Sequence, residues 1–169
     1  KHINLTCITT KANDVTEDTG YEVINILSNS RLRYINIFYF FTLQSFIKKN
    51  KITHLILEHP YYGWLGILLK WFCNVKLIVH SHNIESLRFK STGRFWWQLL
   101  WFYEKFVHQQ ADGNFFIHDD DRKYATEKFK LDEKKCITVT YGFELQAPPG
   151  SEEKHIAKQE LCKLYHLEN

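Results

Sequence analysis

The residues best equipped for chemistry stand where short apolar runs stop. Lys76-Leu77-Ile78-Val79 gives way to His80-Ser81-His82-Asn83-Ile84-Glu85, a tail of two histidines, an amide and a carboxylate. A strand that ends in titratable groups is how an open α/β sheet presents a ligand at its carboxyl edge. His82, just past the strand, is expected to donate a hydrogen bond to a ligand hydroxyl or phosphate, while Asn83 and Glu85 shape the turn. His80 and His82, with Ser81 between them, are expected on opposite faces of the strand, which would keep their imidazoles from converging on a metal. The bland reading is a loop whose polar groups satisfy freed backbone, and spacing alone leaves both readings open.

A second cluster, Glu58-His59-Pro60-Tyr61-Tyr62-Gly63, ends the preceding apolar run. Pro60 is expected to hold His59 extended, and Gly63 lets the backbone approach a ligand or the next helix. If the two strands are neighbours, His59 and His82 open onto one crevice; otherwise this is a plain strand-to-helix turn with exposed tyrosines. His118-Asp119-Asp120-Asp121-Arg122 sets three carboxylates in a row. Consecutive residues do not share a face, so capping and dipole compensation at a helix start are preferred over a magnesium or calcium cage.

The run Arg94-Phe95-Trp96-Trp97-Gln98-Leu99-Leu100-Trp101-Phe102-Tyr103-Glu104-Lys105-Phe106-Val107 carries aromatics at nearly every angle of a helix. Its charged residues forbid a bilayer span. Burial is preferred, since large aromatics are usually core. The alternative is a peripheral membrane contact, because Trp96, Trp97 and Trp101 have cationic flanks.

These residues need a scaffold, and the hydrophobic pattern supplies one. Strands are expected at Ile3 to Thr9, Tyr21 to Leu27, His54 to Glu58, Lys76 to His80, Gly113 to Ile117 and Cys136 to Thr140. Helices are expected at about Ile35 to Lys49, Trp64 to Phe72, Arg94 to Ala111 and Asp120 to Phe129. That alternation predicts an α/β fold: a Rossmann-like, doubly wound, mostly parallel sheet with helices on both faces in three layers. With 169 residues, 44% of them apolar, the chain can bury a core without staples. A net charge of +3, spread along the chain, gives no nucleic-acid footprint. Cys7, Cys73, Cys136 and Cys162 show no paired spacing, which suits reduced thiols in a cytoplasmic protein. No dinucleotide fingerprint, phosphate loop or nucleophile elbow is present.

The ordered set of motifs says more than any one of them. Glu58-His59-Pro60-Tyr61-Tyr62-Gly63-Trp64-Leu65-Gly66, Ser81-His82-Asn83-Ile84-Glu85-Ser86 with Arg88-Phe89, Tyr103-Glu104 with Ala111-Asp112, and Tyr141-Gly142-Phe143-Glu144 follow in an order that resembles the N-terminal, acceptor-side domain of family 4 glycosyltransferases, retaining enzymes of the GT-B fold. The resemblance implies residues 1–147 as the GT-B N-terminal domain lacking its first strand. Residues 148–169 would be a linker and helix leading toward an absent C-terminal, donor-binding domain. It implies transfer of a sugar from a nucleotide-sugar to a saccharide or lipid-linked acceptor in cell-surface polysaccharide synthesis. No metal and no cofactor would be needed, the nucleotide-sugar being a co-substrate bound mainly by the other domain.

Residue by residue, His82 matches the cleft histidine beside the transferring sugar, and His59, Tyr61 and Gly63 match the acceptor wall. Asn83 and Glu85 flank that histidine, Tyr141 and Gly142 border the cleft, and Glu104 is expected to be structural. The chain alone would be inactive. A cytoplasmic location, peripheral on the inner face of a membrane, would follow. The competing expectation is a Rossmann-like binding or interaction module with no reaction.

Overall fold

The computed structural model describes residues 3–13, 20–140 and 150–165. Each expected strand forms: β1 (Thr6–Thr10), β2 (Glu22–Leu27), β3 (His54–Glu58), β4 (Lys76–Ser81), β5 (Gly113–Phe116) and β6 (Cys136–Thr138). They make two parallel sheets, β1-β2 and β3-β4-β5-β6, so the architecture is the expected Rossmann-like α/β layout flanked by helices. Sequential order within the larger sheet follows from short strands joined through helical crossovers.

The helices are α1 (Phe38–Asn50), α2 (Gly63–Cys73), α3 (Glu85–Ser91), α4 (Trp97–Gln110), α5 (Asp119–Tyr124), which runs on into a π-helical turn over Ala125–Phe129, and α6 (Ser151–Tyr165). Helices α1 and α2 each end on a residue in the left-handed region, Lys51 at φ 52° and Asn74 at φ 55°, which turns the chain toward the next strand. Pro148 and Pro149, read as a linker, lie outside the described residues, and α6 starts at Ser151, five residues before the apolar Ile156.

Strand alternation decides what the helices cover. Leu77 and Val79 of β4 pack with Ile67 of α2 and Val107 and Ala111 near the end of α4. Phe116 of β5 packs with Ile84, Ala125 and Phe129. A third cluster joins Leu27 of β2 to Tyr39, Leu43 and Ile47 of α1 and to Leu65 and Leu69 of α2. Residues of the other parity, Ile56 and Ile137, remain exposed among the described residues.

Two expectations fail at this level. The aromatic run is helical but not core: within α4 only Glu104, Val107 and His108 are buried. The face of α4 turned to the sheet is narrow and partly polar, so Trp101 and Tyr103 pack half-buried at the edge of the core while Leu99, Phe102 and Phe106 are left outside. Helix α3 begins at Glu85, which is expected only to shape a turn, and its first backbone N–H groups are tied to another element.

Candidate functional site

The carboxyl ends of β3 and β4 sit side by side because Glu58 pairs in register with His80. Residues two apart on a strand share a face. His80 and His82 therefore do so, against the expectation of opposite faces, and both imidazoles turn to Glu58. His82 Nε2 is 2.7 Å from Glu58 Oε2, and His80 Nδ1 is 3.1 Å from the same oxygen. Partial burial pushes the Glu58 carboxyl up, but the hydrogen bonds to His82 and His80 outweigh it and hold it below the usual range. The three ligand atoms lie within 4.8 Å of one another, so the strand geometry used against a metal does not hold. Hydrogen bonding to Glu58 accounts for the same closeness.

His59 links the strands through its backbone N–H, which donates to His80 O at 2.9 Å. Its backbone lies at φ 72° and ψ 156°. Pro60 fixes the extended ψ as expected, but φ is positive, a conformation costly for any residue but glycine. The strain aims the imidazole across the crevice, where its ring centroid is 4.4 Å from that of His82. Burial, and then the neighbouring His82, hold the His59 imidazole below its ordinary pKa. His59 and His82 thus stand side by side, as the sequence predicts if the strands are neighbours.

Behind the histidines stands a buried carboxylate. Glu85, 2% exposed, accepts from the Tyr61 hydroxyl and from Arg88 Nε at 3.0 Å, and lies 3.4 Å from His59 Nδ1 without a hydrogen bond to it. Burial and the adjoining Glu85 push the Tyr61 hydroxyl far up, so it stays a donor. Glu85 is itself held in place at the start of α3, where Glu104 of α4 accepts the backbone N–H groups of Glu85 at 2.9 Å and Ser86 at 3.0 Å. Two free donors of a helix start are thereby satisfied by one distant carboxylate. Glu104 is structural, as expected.

A Cβ on Gly63 would sit 2.1 Å from Val107 Cγ2, so its role is the close approach of α2 to α4, one of the two roles open from sequence. Tyr141 and Gly142 lie outside the described residues. The triple aspartate starts α5, but its N-cap is His118, with no side-chain capping bond. Asp119 instead meets Arg122 Nε at 3.2 Å and accepts from Thr138 Oγ1 at 2.5 Å, so the dipole part of the expectation fits and the capping part does not.

Sequence reasoning missed a buried chain beneath the site. Ser81 Oγ lies 3.1 Å from His108 Nε2, and His108 Nδ1 lies 2.8 Å from Asn114 Oδ1. All three are 1% exposed or less, so this is a tie between β4, α4 and β5 and not a nucleophile open to substrate. Burial pushes the His108 imidazole down to about 4. The available signal was its place one helical turn after Glu104, on the same face of α4.

Several buried polar atoms at these strand ends have no hydrogen-bond partner: His59 Nδ1, His80 Nε2 and Asn83 Oδ1. Such atoms are rare in folded interiors, and three at one strand edge leave room for a further hydrogen-bonding partner there. This strained cluster of imidazoles, carboxylates and the Asn83 amide lies at the carboxyl edge of a parallel sheet, where open α/β domains place their ligands.

The family model described as Glycosyltransferase Family 4 matches residues 2–146, and the chain belongs to that family. No curated protein sequence matches it. Among solved structures, a glycosyltransferase from Rickettsia africae ESF-5 shares the fold at a TM-score of 0.50 and 16% identity, over 89% of this chain and 37% of that one. The chain thus spans little more than a third of that protein's length. No helix among the described residues is long and apolar enough to cross a membrane.

Proposed function

We propose that this chain is the acceptor-side wall of a retaining glycosyltransferase. A sugar would pass from a nucleotide-sugar to a hydroxyl of a saccharide or lipid-linked acceptor, in cell-surface polysaccharide synthesis on the cytoplasmic side. The observation that carries the reading is the set of orphaned buried atoms on His59, His80 and Asn83 beside the strained His59 backbone. A second domain facing this edge would hold the donor and meet its diphosphate charge without a metal. That division makes 1–147 one domain and 148–169 the passage to the next.

In this cleft His82 hydrogen-bonds the transferring sugar, with Glu58 fixing its ring orientation through the 2.7 Å contact. Groups held in place before the reaction stabilise charge as it develops without reorganising. His59 and Asn83 meet acceptor hydroxyls, and Tyr61 and Glu85 stand behind His59. Tyr141 and Gly142 would close the crevice from the end of the domain.

In the full-length enzyme His82→Ala is expected to lower kcat by about a hundredfold, in the range of a lost preorganised donor, with an unchanged melting temperature. Unchanged turnover would refute the role. Calorimetric titration of the chain alone with nucleotide-sugars should give no tight binding, and micromolar affinity would overturn the division between two domains.

A further inference from the structure

The aromatic residues that the core leaves out form an ordered surface. Leu99, Phe102 and Phe106 recur at helical spacing along the outer side of α4 at 74%, 65% and 48% exposure, and Phe95 precedes them at 92%. Lys70 Nζ donates to Gln110 O at 2.7 Å, which sets the last turns of α2 and α4 side by side, and Trp71, the next residue after Lys70, is exposed; Phe72 is exposed too but turns the other way, its ring edge-on to Phe40 of α1. Single exposed apolar side chains need no explanation, but a continuous stripe of them marks an interaction surface.

Charge identifies the partner. Between residues 88 and 110 Arg88 is paired with Glu85, which leaves Lys90, Arg94 and Lys105 as the basic side chains, and the lone acid, Glu104, is buried. Lys90 Nζ rests 4.8 Å above the Trp97 ring and Lys105 Nζ 5.1 Å above that of Trp101. Cationic tips held over indoles, with bare aliphatic and phenyl groups alongside, suit a headgroup layer, where amphipathic rings and lysines are favoured. A second copy of the same face would instead bring like charges together.

We propose that the outer face of α4, with Trp71 of α2, seats the protein on an anionic phospholipid bilayer. Phe95, Leu99 and Phe102 enter the boundary between headgroups and acyl chains, and Lys90, Arg94 and Lys105 meet lipid phosphates. The contact is peripheral. It does not depend on the transferase reading, since vesicle binding is measured without turnover and the two therefore fail separately.

The test is co-sedimentation of the chain with vesicles of phosphatidylcholine alone and of phosphatidylcholine with phosphatidylglycerol. Binding is expected with phosphatidylglycerol, weakened by salt and weakened at least about tenfold by Leu99→Ser with Phe102→Ser. Brominated acyl chains should also quench the tryptophan emission of the unmodified protein, a readout that needs no variant to fold. Absence of sedimentation, absence of quenching, or equal binding by the paired variant would overturn the proposal. So would a concentration-dependent dimer that the paired variant dissolves while vesicles bind neither form, which would make the stripe a self-interface. Binding to an acidic protein without binding to vesicles would do the same.

Discussion

His108 should make this fold lose stability in mild acid through one identifiable residue. Its imidazole is completely buried between Ser81 and Asn114, and burial lowers its pKa from an ordinary 6.5 to about 4. The folded chain therefore keeps His108 neutral in a range where the unfolded chain binds a proton. The unfolded state holds the extra proton, so stability falls as pH drops, at up to about 1.4 kcal/mol per pH unit. The loss begins near the unfolded value and is complete near the folded one. Across a gap of about 2.5 pH units it amounts to about 3 kcal/mol, a large share of the stability of a domain this size. The assay is urea unfolding followed by tryptophan emission at several values between about pH 7 and about pH 4, for the unmodified chain and for His108→Gln. The variant is expected to be less stable at neutral pH, because its amide cannot bridge Ser81 and Asn114 as the imidazole does. Its stability should then fall less steeply with acid. His59 is also depressed and contributes in the same direction to both proteins, so the difference between their slopes isolates His108. Parallel slopes would refute the reasoning.

Other consequences follow from close contacts. Gly63→Ala places a Cβ 2.1 Å from Val107 Cγ2 and should destabilise by about 1–3 kcal/mol, read as a lowered melting temperature. Glu104→Ala strips the partner from two backbone donors at the start of α3 and should cost about 2 kcal/mol or more, with amide exchange at Glu85 and Ser86 accelerated well beyond the global effect. In the full-length enzyme EDTA should leave turnover unchanged. Loss restored by zinc would instead place a working metal on Glu58, His80 and His82.

The strands were legible because buried parallel strands read as short, continuous apolar runs, and the motif order pointed to the family. What stayed hidden depends on partners distant in sequence. Helix α3 has seven residues and no strong period of its own, and its N-terminus is completed by Glu104 from another helix. The two-residue strand period puts His80 and His82 on one face, against the expectation of opposite faces, while the register that brings Glu58 to them depends on a strand distant in sequence. The positive φ of His59 could not be foreseen, since Pro60 constrains only its ψ. In α4 residue type points every aromatic to the core, whereas the sheet accepts Val107, His108 and Glu104, takes Trp101 and Tyr103 only at its edge and leaves Phe102 and Phe106 outside.

Helix α4 therefore serves two surfaces that can be separated experimentally. Its inner side carries Glu104, which holds the start of α3 and through Glu85 reaches Tyr61, Arg88 and His59, and also His108, which holds Ser81 next to His82. Its outer side carries Leu99, Phe102 and Phe106, none of which reaches that network. Substitutions on the inner side should disturb the crevice through its supports, lowering turnover and stability together. Those on the outer side should leave turnover on a water-soluble acceptor intact and lower it only when the acceptor is presented in a membrane. An outer pair that abolished turnover on both acceptors would show that the faces are coupled, and that the stripe belongs to the catalytic assembly and not to a bilayer contact.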